Sequence, residues 1–131
     1  MGTPLSNVEF LMSNEMENEK KNIVLEKSFQ LAIKIIKLTT ELSKINRILA
    51  DQILRSGTSV GANLNEAQAA LTKKEFVAKV SIAAKEIRET KYWLMLLTQA
   101  KLINRDTELE VLVDDIIKLT NKIIKTSQEN N

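Results

Sequence analysis

Apolar residues recur every three or four positions along most of the chain, which is the period of an amphipathic α-helix. The pattern predicts four helices, over about residues 18–44, 46–70, 73–101 and 106–127. The chain's one proline is residue 4, so no later residue forbids a long helix on that account. Short links between long helices favour antiparallel neighbours. The sequence therefore predicts an all-α fold, an antiparallel up-down-up-down four-helix bundle.

The first predicted helix has an unusually wide apolar face made of two adjacent stripes. The stripes are Leu25, Phe29, Ala32 and Ile36, and beside them Leu31, Ile35, Leu38 and Leu42. The opposite side is basic, and its lysines are Lys27, Lys34, Lys37 and Lys44. These lysines are interpreted either as a solvated face or as a ridge that contacts the phosphates of nucleic acid.

Two glycines, Gly57 and Gly61, fall inside the second predicted helix, because the apolar period continues through them without a break. Each costs about 1 kcal/mol against alanine in a helix, which close approach of a neighbouring helix would offset. A phosphate-binding loop is excluded because no Gly-Lys-Ser/Thr follows the glycines. The sequence therefore predicts close helix packing at this point.

Candidate interaction residues lie on the second and third predicted helices. They are Arg55, Ser59, Asn63 and Glu66 on the second helix, and Ile82, Glu86, Glu89 and Trp93 on the third. The charged members either pair across helices, pair across subunits, or form surface ion pairs that contribute about 0–1 kcal/mol. Trp93 either closes the end of its own bundle or lies in an interface with another chain, where tryptophan is enriched.

The chain contains no cysteine and no histidine. Their absence excludes Ser-His-Asp triads, thiol nucleophiles, most zinc sites and the Glu-x-x-His di-iron sites of ferritin-like bundles. A metal-dependent or hydrolytic enzyme using Glu66, Glu86 and Glu89 is kept as a hypothesis, although salt bridges explain these residues more simply. The sequence thus predicts a protein that is not an enzyme and has no cofactor.

Charge is unevenly spread along the 131 residues, one domain's length. Residues 1–19 hold four glutamates and no basic residue, so the remainder, with 19 basic and 13 acidic side chains, is +6. We predict a flexible acidic tail over residues 1–17 and a bundle domain over residues 18–131. No signal peptide and no apolar run of about 20 residues is present, which predicts a cytoplasmic protein without a membrane partner.

Two blocks of residues carry a resemblance to a known family. The first is Arg55-Ser56-Gly57-Thr58-Ser59-Val60-Gly61-Ala62-Asn63 followed by Glu66-Ala67-Gln68. The second is Phe76, Lys79, Ser81-Ile82-Ala83, Lys85-Glu86, Glu89-Thr90 and Tyr92-Trp93-Leu94. From about Phe29 to Ile124 the chain resembles the 23S rRNA-intervening-sequence proteins, also called four-helix bundle or S23 ribosomal proteins.

The resemblance implies a homopentameric ring whose molecular role is not established. The family is similar to the accessory variability determinant of diversity-generating retroelements, a basic pentameric barrel that binds a reverse transcriptase and nucleic acid. Two kinds of partner besides the chain itself are therefore expected as alternatives: RNA or DNA, or another protein in a structural or reverse-transcriptase accessory ring.

Overall fold

The computed structural model describes residues 4–129, with side chains from residue 18 onward. These residues form four helices, α1 (Pro4–Leu42), α2 (Arg47–Gln68), α3 (Lys73–Gln99) and α4 (Thr107–Glu129), and no strand. The prediction of an all-α fold with four helices is confirmed.

The start of α1 differs from the prediction. The helix begins at Pro4 rather than near residue 18, so the backbone of residues 4–17 continues α1. Residues 1–3 and all side chains of the predicted acidic tail, residues 1–17, lie outside the described part of the chain. The flexibility of that tail stays a prediction.

Side chains cap the starts of α2, α3 and α4. The side-chain oxygens of Asn46, Thr72 and Asp106 accept the backbone N–H three residues later, at 3.0, 3.1 and 3.0 Å. Each bond satisfies an N–H that has no partner inside the helix. The caps fix where these three helices begin. Each capping residue follows shortly after the end of the preceding helix, so the connections are short.

Each helix packs against two others. α2 and α4 both contact α1 and α3, whereas α1 and α3 do not contact each other in the described residues. α1 and α3 therefore occupy opposite corners of the bundle. Lys27 pairs with Asp115 and Lys34 with Glu108, so the residue order of α4 is reversed relative to α1.

One of the two stripes predicted for the core of α1 is only partly buried. Leu31 and Ile35 are fully buried, whereas Phe29 is 68% and Ile36 51% exposed. In the described residues α1 contacts α2 and α4 alone, and these two helices cover one side of it. The prediction of a wide buried face was therefore wrong for Phe29 and Ile36, whereas Leu25 of the same stripe packs against the core.

The close packing at the glycines involves α1. A Cβ added to Gly57 would lie 2.9 Å from both Cγ1 and Cγ2 of Ile35. At Gly61 the nearest atom would be Ser28 Oγ at 3.3 Å. Only glycine lets α2 approach the branched Ile35 side chain this closely, whereas the contact at Gly61 is milder.

Replacing Gly57 by alanine should destabilise the chain. The buried Ile35 branches at Cβ and has little rotamer freedom, so overpacking of about 1–3 kcal/mol should exceed the gain of about 1 kcal/mol in helix propensity. Urea unfolding followed by circular dichroism measures the difference.

Gly61→Ala is the matched control, because it brings the same gain in propensity against a contact with a small side chain. We expect it to be neutral or slightly stabilising. Equal effects of the two substitutions would contradict the assignment of Gly57 as the point of closest approach.

Candidate interaction surface between α2 and α3

The structure brings the candidate residues of α2 and α3 to one side of the bundle. We call this surface the α2–α3 seam; it comprises Arg55, Ser59, Asn63 and Glu66 from α2, and Ile82, Glu86, Glu89 and Trp93 from α3. Below it, the buried hydroxyl oxygens of Ser56 and Thr90 are hydrogen-bonded at 3.0 Å. This buried contact holds the two helices together beneath the seam.

Arg55 is the centre of the seam. Its Nη1 lies 3.2 Å from both carboxylate oxygens of Glu86, and its Nη2 donates to Glu89. Trp93 donates its Nε1–H to the other oxygen of Glu89, at 3.3 Å. The helical spacing of residues 86, 89 and 93 places these three side chains on one flank of α3, where a single arginine reaches both carboxylates.

The ion pairs shift the protonation equilibria of this cluster. Hydrogen bonding from Arg55 lowers the pKa of Glu89 below its ordinary value, and the bond from Trp93 acts in the same direction. Hydrogen bonding to Glu89 and Glu86 raises the pKa of Arg55 above its ordinary value. Arg55 and Glu89 are therefore held in their charged forms.

The remaining polar members of the seam have separate partners. Ser59 donates to the carbonyl of Arg55 at 2.7 Å and Asn63 to that of Ser59 at 2.8 Å, so neither side chain reaches α3 in these bonds. Glu66 pairs with Lys79 of α3 at 2.9 Å. Lys79 was not among the predicted residues, although it lies seven residues before Glu86 and hence on the same helix face.

Apolar groups lie beside the charges. Ile82 is 40% exposed, and Tyr92, whose ring meets the Trp93 ring edge to face at 5.1 Å, is 58% exposed. Leu96, 38% exposed and three residues after Trp93, extends this surface. Trp93 packs partly against the core of its own bundle. Leu96 was not among the predicted residues, because it lies between the buried Leu94 and Leu97 in an apolar run, where its exposure gives no separate signal in the sequence.

The four lysines predicted to contact phosphates do not form an unpaired ridge. Lys27 and Lys34 bond carboxylates of α4 at 3.3 and 3.2 Å, and Lys44 lies 3.4 Å from Glu41. Within residues 18–129, Lys37 has no ion pair within 4.0 Å. Three of the four charges are thus partly compensated by their own chain.

The described residues contain no group of three or more histidine, cysteine, aspartate or glutamate side chains arranged to hold a metal ion. Glu86 and Glu89 share Arg55, whereas Glu66 belongs to a different ion pair.

None of the described helices combines the length and hydropathy needed to cross a bilayer.

The chain was compared with known protein families and solved structures. Residues 20–125 match the family described as 23S rRNA-intervening sequence protein. The chain belongs to this family. The match includes the whole α2–α3 seam and excludes all of the predicted acidic tail, residues 1–17.

A crystal structure from Bacteroides thetaiotaomicron, described as a protein with unknown function from the S23 ribosomal protein family, is 41% identical. It covers 81% of this chain and 98% of its own, with a TM-score of 0.73. The protein from Bacteroides thetaiotaomicron therefore has a similar fold. No curated protein matches the chain.

The lowered pKa of Glu89 predicts a pH-dependent contribution to stability. A carboxylate with a folded-state pKa below its unfolded value stabilises the fold above the unfolded pKa, and this contribution is lost as pH falls through the folded-state pKa. Arg55→Met should lower the free energy of unfolding by about 1 kcal/mol or less at neutral pH, because the pairs are partly solvated. The difference from wild type should shrink towards zero in acid, as measured by urea unfolding at several pH values.

Arg105→Met is a control in which an exposed arginine loses a single partner, Glu110. It should cost less than Arg55→Met at neutral pH. A cost of Arg55→Met that stays constant down to strongly acidic pH would contradict the role of the carboxylates.

Proposed function

We propose that this chain is a non-enzymatic, homo-oligomeric protein, an antiparallel up-down-up-down bundle that assembles as a homopentameric ring. The observation that carries the proposal is the composition of the α2–α3 seam. Its charges are compensated by one another, while Ile82 and Tyr92 remain 40% and 58% exposed beside them. Exposed aromatic residues are typical of the centre of a protein–protein interface. Charges that already compensate one another cost less to cover there than unpaired charges. The number five comes from the family resemblance.

The glutamates argue against catalysis by this surface. A general acid or base works best with a pKa near the operating pH, yet the ion pair with Arg55 lowers the pKa of Glu89. Glu66 and Glu86 are likewise paired with cations. These carboxylates are suited to holding helices together.

Light scattering coupled to size exclusion should report an assembly near five times the chain mass of 14.8 kDa. The physical reason is that burial of the exposed apolar groups on α1 and α3 stabilises the assembly. The mass should be unchanged on dilution over an order of magnitude. A monomer at every concentration would overturn the proposal.

Nucleic-acid binding is the second candidate function. It is supported by the charge of +6 outside residues 1–19 and by Lys37, which has no ion pair within residues 18–129. The carboxylate partners of Lys27, Lys34 and Lys44 weaken this candidate, because phosphates would compete with them. The alternative partner is a polypeptide, as in a reverse-transcriptase accessory ring of the diversity-generating retroelement type.

Binding to a 23S rRNA fragment or to duplex DNA should weaken steeply with salt, because phosphate contacts release counterions. Removing two contacts with Lys37→Gln and Lys44→Gln should reduce the slope of log K against log salt by about 1.4–1.8. A filter-binding titration between low and physiological salt measures it.

Lys73→Gln with Lys74→Gln is the matched control, because it removes the same charge from the start of α3. It should leave the slope nearly unchanged. Absence of binding at low salt to either nucleic acid would overturn this candidate and favour a polypeptide partner.

A further inference from the structure

An apolar stripe on α1 is largely exposed, and among the described residues no other helix covers it. We call Phe29, Ile33 and Ile36 the α1 stripe; their spacing places them on one helix face, and they are 68%, 41% and 51% exposed. A second exposed surface, here called the α3 patch, consists of Ile82, Tyr92, Trp93 and Leu96. The two surfaces lie on helices that do not contact each other in the part of the chain that the structure describes.

Both surfaces border α2. On α1, Ser28 and Ile35 face the glycines of α2, whereas Lys27 and Lys34 on the other side pair with α4. Phe29 and Ile36 adjoin Ser28 and Ile35, so the α1 stripe lies towards the outer side of α2. On α3, the patch adjoins Glu86 and Glu89, which pair with Arg55 of α2. Successive residues of a helix point in directions about 100° apart, because a turn has 3.6 residues. Counted in this way from the buried residues of each helix, the α1 stripe and the α3 patch point outward in directions that differ by roughly 90°.

We propose that the α1 stripe of one copy packs against the α3 patch of the next copy, so that the assembly is joined head to tail. This inference rests on the proposed function, and it adds which surfaces meet. Two unlike surfaces on one chain give a heterologous contact, which forms a ring when the rotation closes. An angle well below 180° closes a ring of a few copies, whereas surfaces on directly opposite sides would extend a straight filament.

The exposed areas suit an interface between two copies. At about 200 Å² for a fully exposed large side chain, each surface presents roughly 300 Å² of apolar area. Joined, they would bury roughly 600 Å². A small specific interface buries about 1,200 Å² in total, a little over half of it apolar. The two surfaces are thus similar in area, and each is at the lower end of the range of about 300–600 Å² for the largest apolar patch on a typical monomer, which is often functional.

Complementation between two assembly-defective variants tests the pairing. Phe29→Glu with Ile36→Glu changes the α1 stripe, and Tyr92→Glu with Leu96→Glu changes the α3 patch. Each variant alone should be a monomer of 14.8 kDa, and an equimolar mixture should form a dimer of twice that mass, because one intact stripe meets one intact patch. The substituted surfaces share one charge sign and repel, so the mixture stops at the dimer.

Val111→Glu is the matched control, because it changes a side chain that is 59% exposed on α4. It should leave the wild-type mass unchanged. Circular dichroism checks that every variant is helical.

Disulfide trapping is an independent measurement, since the chain has no cysteine of its own. Ile33→Cys and Leu96→Cys chains, co-expressed with different tags, should form mixed disulfide dimers on oxidation. Neither the Ile33→Cys chain nor the Leu96→Cys chain should form a disulfide dimer when it is expressed alone.

The outcomes separate the two proposals. A wild-type monomer overturns the assembly and this pairing together. If the wild type is an oligomer, any of three results overturns the pairing alone. They are a double variant that still dimerises, a mixture that stays monomeric, and a disulfide between identical chains.

Discussion

The contact between Gly57 and Ile35 sets the rotation of α1 about its own axis. Because no Cβ separates α2 from the branched side chain, Ile35 points directly at α2 and Leu31 follows it into the core. The same rotation leaves Phe29 68% exposed. One close approach thus decides which of the two apolar stripes is buried and which is left largely exposed.

Ion pairs lie on two sides of the bundle, and the groups that stay exposed beside them differ between the two sides. Along the α1–α4 contact, Lys27 and Lys34 bond carboxylates, so this side is charged and solvated. Along the α2–α3 seam, Arg55 compensates both Glu86 and Glu89, and the groups left exposed beside it are apolar. Desolvating the seam therefore costs less than desolvating uncompensated charges, because each charge keeps its hydrogen bonds when a second chain covers it.

The sequence was sufficient for the number of helices and for the starts of α2, α3 and α4, but insufficient for the start and the buried face of α1. Helical periodicity and the capping residues Thr72 and Asp106 located the elements, because these signals are local. The exposure of Phe29 could not be predicted, since both stripes have the same period and only the position of α2 separates them. Arg55 and Glu86 were recognised as candidates from their spacing, but their pairing within one chain depends on the register between α2 and α3.

The proposed ring would also change what the chain's small positive charge contributes to binding a polyanion. With +6 outside residues 1–19, one copy offers few uncompensated contacts to a polyanion. In a head-to-tail ring whose subunits use the flanks of α2 for assembly, α4 lies on the outer side, and its Lys118, Lys122 and Lys125 recur in every copy. Repetition turns weak single contacts into multivalent ones, because each further contact is made at high effective concentration. Nucleic-acid affinity would then be a property of the assembled ring, and surfaces that prevent assembly when altered would weaken it without touching a phosphate.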